Sequence, residues 1–324
     1  MVRLQIKEIF YLLSAMKDVA TAHGKQRLTP LQQSSLKAVY SQVFGHKDEL
    51  QLTHLIDMPL SGFSQVFPDA IKAEYVLRFL VVTALMDKTI DREKILAVLD
   101  YAKAANIYPH YLNQLEKTLE GDFQWLIKDI MRKNLESFDI FPNIQDEKDI
   151  ENWLFPYRGD KKNPQLAGRY ESLRHLPESS FGHHIWMQFK TNNYKFPGEE
   201  DGANYEFIMP HDSIHVLSEY DTSPYGEILV SVFTSTMLEK NSIDGHVIPV
   251  IYSFYLGIKI NELAGSAQVE IDPYEFWDAW YRGSQMQINL YSKGWNIWDV
   301  AEIPLTDLRE LYHVLPKSKM NKNL

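Results

Sequence analysis

A chain of 324 residues, 45% apolar and 23% charged, has the make-up of a folded globular protein with length for about two domains, which excludes a disordered, collagen-like or low-complexity chain. It has no cysteine, so disulfides, thiolate zinc sites, cysteine-held iron–sulfur clusters and thiol nucleophiles are excluded, and any metal must sit on histidine and carboxylate. The net charge of −10 comes without the basic stripe by which nucleic-acid binders release counterions, so no DNA or RNA partner is expected.

Ile6, Ile9, Leu13 and Met16 form a helical stripe that ends near His23-Gly24. Lys7 and Glu8 interrupt what would otherwise serve as the apolar run of a signal peptide, so secretion by that route is not expected. From Ile71 to Met86 the chain is apolar almost all round, as in a helix surrounded by others, and this helix is predicted to be the centre of the first domain. The polar turn Asp87-Lys-Thr-Ile-Asp91-Arg-Glu93 precedes a second helical spacing at Ile95, Val98, Leu99, Ala102 and Ala105. The first domain therefore reads as a helical bundle over residues 1–135.

Residues 136–164 change in composition to Pro, Asp, Glu, Lys and Asn around Trp153 and Phe155, which reads as a linker. A second domain is expected over 165–315 and a disordered basic tail over 316–324. Val247, Val250, Ile251, Phe254 and Ile258 follow helical spacing and read as helix, although their β-branched enrichment leaves a strand open. The charge-free run Val247 to Ile258 is shorter than the roughly 18 residues of a membrane span. The helical spacings make the chain all-α, an N-terminal helical bundle followed by a mainly helical domain, and no repeat of roughly 20–50 residues is visible, so a solenoid is not supported. Trp277, Trp280, Tyr281, Trp295 and Trp298 read first as core packing, and otherwise as walls of an apolar ligand pocket.

The stretch that carries chemistry is His211-Asp212-Ser-Ile-His215, with Glu227 twelve residues on. On a helix His211 and His215 lie one above the other, and Asp212 sits about 100° round from His211. The turn Asp221-Thr-Ser-Pro224 allows a second helix to bring Glu227 back toward that face. Two imidazoles and two carboxylates suit zinc, magnesium, manganese or iron. The bland alternative is a partly buried histidine face with two acids favoured by helix dipoles alone, and the pattern lacks the adjacent Glu of the zinc-protease signature. No phosphate loop or nucleophile elbow is present, so nucleotide-dependent and serine-hydrolase chemistry is not supported.

Three ordered blocks carry a resemblance. They are Leu176-Pro-Glu-Ser-Ser-Phe-Gly182; the His211-Asp-x-x-His215 motif with Glu227; and Trp280-Tyr-Arg-Gly283 followed by Asn289-Leu-Tyr, Trp295, Trp298 and Pro304-Leu-x-x-Leu308-Arg-x-Leu311. Together, over about half the chain, they resemble the ubiquinone-biosynthesis family of the fourth coenzyme Q protein. The resemblance implies that His211, Asp212, His215 and Glu227 hold a divalent metal in a mainly helical domain with an apolar, prenyl-lipid-accepting cavity. It further implies action on the head group of a polyprenylated quinone precursor, with oxidative C1 decarboxylation as the reaction.

Its alternative is a non-catalytic isoprenoid-lipid scaffold for other quinone-biosynthesis proteins, and a third reading is an unrelated metal-dependent hydrolase. Either of the first two places the protein in the cytoplasm, peripheral to the inner face of a membrane.

The chain departs from the family at Glu219-Tyr220-Asp221, where a small residue and then Leu-Pro are usual, and this makes Glu219 a candidate further ligand or proton handler. Pro210 is expected to kink or begin the helix of the motif. His183 and His184 stand where the family tends to carry Arg and an acid, and read as ordinary surface or core residues. In the first half, Asp87-x-x-x-Asp91-x-Glu93 is weakly similar to the tellurite-resistance, TerB-like, domains, and a polar turn that caps a helix explains it better.

Overall fold

Amphipathic and all-round apolar stretches alternate with capped turns along this chain, and helices follow from them. The computed structural model describes residues 2–56, 60–138, 162–260 and 266–318, and among these residues there is no strand, so the fold is all-α as the periodicity predicts. Most of the expected linker, with Trp153 and Phe155, and residues 319–324 of the expected tail lie outside the described residues.

The first helices are α1 (Ile6–Ala20), α2 (Pro30–Ala38), α3 (Leu60–Val66), α4 (Ala70–Leu85), α5 (Arg92–Ala105), α6 (Tyr111–Glu120) and α7 (Phe123–Glu136). They are followed by α8 (Pro164–Glu171), α9 (Phe181–Thr191), α10 (Tyr205–Ser218) and α11 (Pro224–Met237). A wider-wound helical stretch covers 243–255, and α12 (Pro273–Gln285) and α13 (Leu305–Tyr312) complete the order. The 243–255 segment settles the choice left open for Val247 to Ile258 in favour of helix, with π-type turns on both sides of Ile248–Val250. Pro249 supplies no backbone N–H to an α-ladder, which suits the wider winding there.

The chain forms two units that are not contiguous in sequence. One comprises 1–130 and 246–281, the other 131–245 and 282–324. This differs from the sequence-based division at 135 and 165, because the segment 246–281 packs with the first helices. Trp277 donates to Ser35 Oγ at 2.9 Å and stacks on Phe79 at 5.1 Å, with Trp280 beside both rings. Tyr252 shares a 2.7 Å hydrogen bond with Thr118. Periodicity reveals that each of these segments is apolar but not which one covers which. The tryptophans at 277 and 280 are therefore core residues of the first unit.

α4 lies at the centre of that core as expected, with Val76, Leu77, Phe79, Leu80, Val81 and Val82 all buried. α1 buries Ile9, Leu12, Leu13 and Met16, whereas Ile6, counted in its stripe, opens the helix and is 53% exposed. Asp91 caps α5, accepting from the backbone N–H groups of Glu93 (2.9 Å) and Lys94 (3.2 Å). Asp87 pairs with the buried Lys94 and accepts from Gln32, and Glu93 pairs with Lys25. Every acid of this turn thus has a structural partner. Asp91→Ala is expected to lower unfolding stability by about 1–2 kcal/mol, the worth of a doubly bonded N-cap, as read by urea denaturation.

In the second unit the segment 301–305 binds the start of α9. Phe181 N donates to Ile303 O, Gly182 N to Ala301 O and Leu305 N to Ser179 O, each at 2.8 Å. Two of the three sequence blocks, at 176–182 and 304–311, meet there. Trp298 packs on Tyr170 under the Arg169 guanidinium, and Trp295 donates to Tyr312. Lys317, expected in the disordered tail, is docked instead, donating to Glu219 O at 2.6 Å.

Candidate metal centre

α10 opens at Asn204, whose side chain accepts from Glu206 N, and runs through Pro210 without ending there. Pro210 therefore lies inside the helix, which starts at Tyr205 and not at the proline. His211 and His215 follow on one face, a turn apart. The helix closes at Glu219, whose φ of +66° is left-handed and turns the chain back. Such a conformation suits glycine better than a residue with a side chain.

α11 then starts as the turn residues predict, with Ser223 as N-cap accepting from Gly226 N and Pro224 in the first turn. Gly226 permits a close approach, because a Cβ there would overlap the Asp221 carbonyl oxygen. The next residue is Glu227, and the tight turn brings it back to the histidine face.

Three side chains converge. His211 Nε2 and His215 Nε2 are 3.2 Å apart, His211 Nε2 is 3.3 Å from Glu227 Oε2, and His215 Nε2 is 3.3 Å from Glu227 Oε1. Each imidazole nitrogen faces a different oxygen of the Glu227 carboxylate, and one donor atom from each of the three residues lies within 4.8 Å of the others, so the group could hold a divalent ion. The ring of His215 is oriented from behind, its Nδ1 lying 3.0 Å from the Tyr220 carbonyl oxygen. Nδ1–H donates there and leaves Nε2 as the ligand atom, the usual outer-shell arrangement of a metal-binding histidine.

Asp212 stands beside this group and outside it. Asp212 is 2% exposed; Oδ1 accepts from Gln188 Nε2 at 2.6 Å, and Oδ2 is buried with no hydrogen-bond partner among the described residues. Burial pushes the Asp212 carboxyl above its ordinary range, against the lowering charges of His211 and His215. Of the four expected ligands, the structure brings His211, His215 and Glu227 together and holds Asp212 on Gln188. Glu219, the candidate proton handler, points elsewhere, pairing with Arg309 at 2.9 Å. His183 and His184 are on α9 and are not in the group; burial, then the charges of Arg309 and His183, lowers His184.

The surroundings are aromatic. Phe207 lies nearly parallel to the His211 ring at 6.4 Å, Phe138 meets Phe207 edge-on at 5.7 Å, and Tyr291 stacks on Phe138 at 4.3 Å. Tyr291 is buried with its hydroxyl on Thr234, and burial, followed by the charges of Asp212 and Glu227, drives its phenol far above the ordinary value. It therefore stays protonated next to the carboxylates. Gln188, Arg282, Arg309 and the role of Tyr291 were not legible from sequence. Arg282, Tyr291 and Arg309 do fall within the third block, but a block gives no role to its members.

Charge coupling within the centre is strong. Burial alone would raise the Glu227 carboxyl, but the charge and hydrogen bond of His211, then those of His215, hold it well below the usual carboxylate range. Burial alone would lower the His215 ring, but Glu227 outweighs it and the ring is raised above 6.5. The metal-free centre thus keeps a proton on His215 at pH 6.5, and an entering cation must displace it. Zinc affinity is expected to climb as pH rises from 6.5 through the raised His215 value, by up to about tenfold per unit for one displaced proton. Calorimetry in buffers of different ionisation enthalpy reads the released proton; an affinity flat over this range contradicts the assignment.

The fold and the site together define an all-α protein with a two-histidine, one-carboxylate group able to hold a divalent ion. No family model matches the chain, and neither does any curated protein or solved structure. No helix among the described residues is long and apolar enough to cross a membrane.

Proposed function

We propose that this protein is metal-dependent and acts on the head group of a polyprenylated quinone precursor, with oxidative C1 decarboxylation as the reaction class, the carboxyl carbon leaving as carbon dioxide and dioxygen serving as the oxidant. The observation that carries the metal half is the convergence of His211, His215 and Glu227, whose donor atoms lie within 4.8 Å of one another. The substrate half rests on the resemblance of the three sequence blocks to the ubiquinone-biosynthesis family.

A divalent ion, whether zinc, magnesium, manganese or iron, supplies Lewis acidity toward an oxygen of a bound head group. His211 and His215 contribute neutral imidazole donors, and Glu227 contributes the negative charge that offsets part of the cation's. Three protein donors leave room for a further ligand, as in centres that act on substrates. Asp212 and the protonated Tyr291 lie near enough to feel the charge of Glu227, so both shape the electrostatics of the centre.

The test is incubation of the protein, loaded in turn with each of the four metals, with a prenylated hydroxybenzoate in detergent and air. Loss of the carboxyl carbon is followed by mass spectrometry, with His215→Ala as the control. Conversion by the wild type and not by the variant supports the reading. Lipid retained unchanged makes the protein an isoprenoid scaffold, and neither retention nor conversion removes the quinone reading altogether.

A further inference from the structure

Arg282 is among the largest fully buried side chains of the protein, 1% exposed, and its three hydrogen-bond acceptors include no carboxylate. Its guanidinium donates from Nη1 to the Tyr220 hydroxyl at 2.7 Å, from Nη2 to the Ser218 carbonyl at 3.1 Å and from Nε to the Leu315 carbonyl at 2.8 Å. Its plane also lies near the rings of Tyr220 and Phe233, with centroids at 5.1 and 5.8 Å. An arginine withdrawn from water with no carboxylate partner among the described residues is a costly element of a core, and apolar side chains of like volume commonly stabilise a fold as well or better. What an apolar residue could not supply is two directed donors at the end of α10, at Ser218 and Tyr220, and a third to Leu315 beyond α13.

Those donors hold the turn on which His215 depends. Tyr220 is gripped at its hydroxyl by Arg282, and its carbonyl oxygen receives Nδ1–H of His215. The turn starts at Glu219 in a left-handed conformation that a side chain disfavours, so it needs support from outside. Arg309 adds bonds to the Leu217 and Val216 carbonyls and pairs with the Glu219 carboxylate. Lys317 donates to Glu219 O and lies 4.7 Å from the Tyr220 ring centroid. Positive charge at this end of α10 also complements the helix dipole.

We infer that Arg282 is a positioning residue of the metal centre: acting through Tyr220, it fixes His215 with Nδ1–H engaged and Nε2 turned to His211 and Glu227. The inference rests on the metal reading for its effect on affinity, whereas the hydrogen bond at Nδ1 can be read with no metal present.

The test uses two variants of the full chain. Arg282→Met keeps volume and removes all three donors; Tyr220→Phe removes only the hydroxyl that Arg282 holds. Folding is checked by circular dichroism, zinc affinity by competition with a chelating indicator, and solvent exchange of His215 Nδ1–H by nitrogen-edited NMR. Zinc affinity is expected to fall about 10- to 100-fold in Arg282→Met and about tenfold in Tyr220→Phe, the range of outer-shell substitutions at metal sites. Nδ1–H is expected to exchange at least tenfold faster in both, an effect that a general loss of packing remote from His215 would not produce. A folded variant with wild-type exchange at Nδ1–H overturns the inference, and if Arg282→Met does not fold, Tyr220→Phe decides alone. A wild type that binds no zinc, with Nδ1–H exchange accelerated in Tyr220→Phe, retires the metal reading and leaves the positioning role standing.

Discussion

Glu227→Gln is expected to lower zinc affinity by about 100-fold or more, beyond the range of outer-shell substitutions. The substitution keeps the shape of the side chain but removes the anionic donor of the three. It leaves His211 and His215 to hold a dication with no charge compensation among the converging atoms.

The same variant has a signature without metal. The depressed Glu227 carboxyl contributes stability that is present above its unfolded value of 4.5 and is lost as pH falls toward its folded value. The raised His215 ring contributes stability that is full below 6.5 and is lost as pH rises through its folded value. The two contributions overlap between pH 4.5 and 6.5, so metal-free wild type and Glu227→Gln should differ most in Tm within that window, and the difference should shrink as pH rises through the folded His215 value. A difference that grows steadily toward alkaline pH would contradict the pairing.

Gly283→Ala is expected to destabilise the protein by about 2 kcal/mol or more, the upper part of the overpacking range, and to lower Tm by roughly 5 °C. Gly283 lies on α12 against α11. A Cβ there would overlap the Phe233 carbonyl oxygen and Thr236 Oγ1 and stand 2.7 Å from the Phe233 carbonyl carbon. Helical backbone cannot step aside as the end of a long side chain can, so the two helices must move apart. The displaced residue adjoins Arg282, and loss of zinc affinity should accompany the loss of stability. Gly168→Ala on α8 is the control. A Cβ at that position meets nothing within 4 Å, and the higher helix propensity of alanine should leave the protein as stable or up to about 1 kcal/mol more so. Equal effects of the two substitutions would show that close packing at Gly283 is not what matters.

Much of the candidate centre was legible because it depends on local rules. His211 and His215 share a face by helical spacing, Ser223 and Pro224 start a helix by cap chemistry, and Glu227 returns because the turn between them is short. Pro210 misleads for the opposite reason: Asn204 caps the helix six residues earlier, and one missing N–H does not stop it.

Asp212 shows where local rules stop. A position about 100° round from His211 could face the ligands or a neighbouring helix. Gln188, which holds one of its oxygens, comes from α9 and carries no motif of its own. Arg282 and Tyr220 meet across more than sixty residues for the same kind of reason. At the level of the fold, the pairing of Trp277 with Phe79 and Ser35 decides that 246–281 belongs with the first helices, and that contact is complementarity of shape, not period.

The most direct measurement is the divalent metal bound by the purified protein and by His215→Ala, both prepared without chelator and read by elemental mass spectrometry. His215 is the least exposed of the three converging side chains, and it meets Glu227, His211 and the Tyr220 carbonyl at once. Near-stoichiometric metal in the wild type, lost in the variant, is the predicted result. No metal in either protein after incubation with zinc, magnesium, manganese and iron would contradict it and leave His211, His215 and Glu227 as an ion-paired helix face.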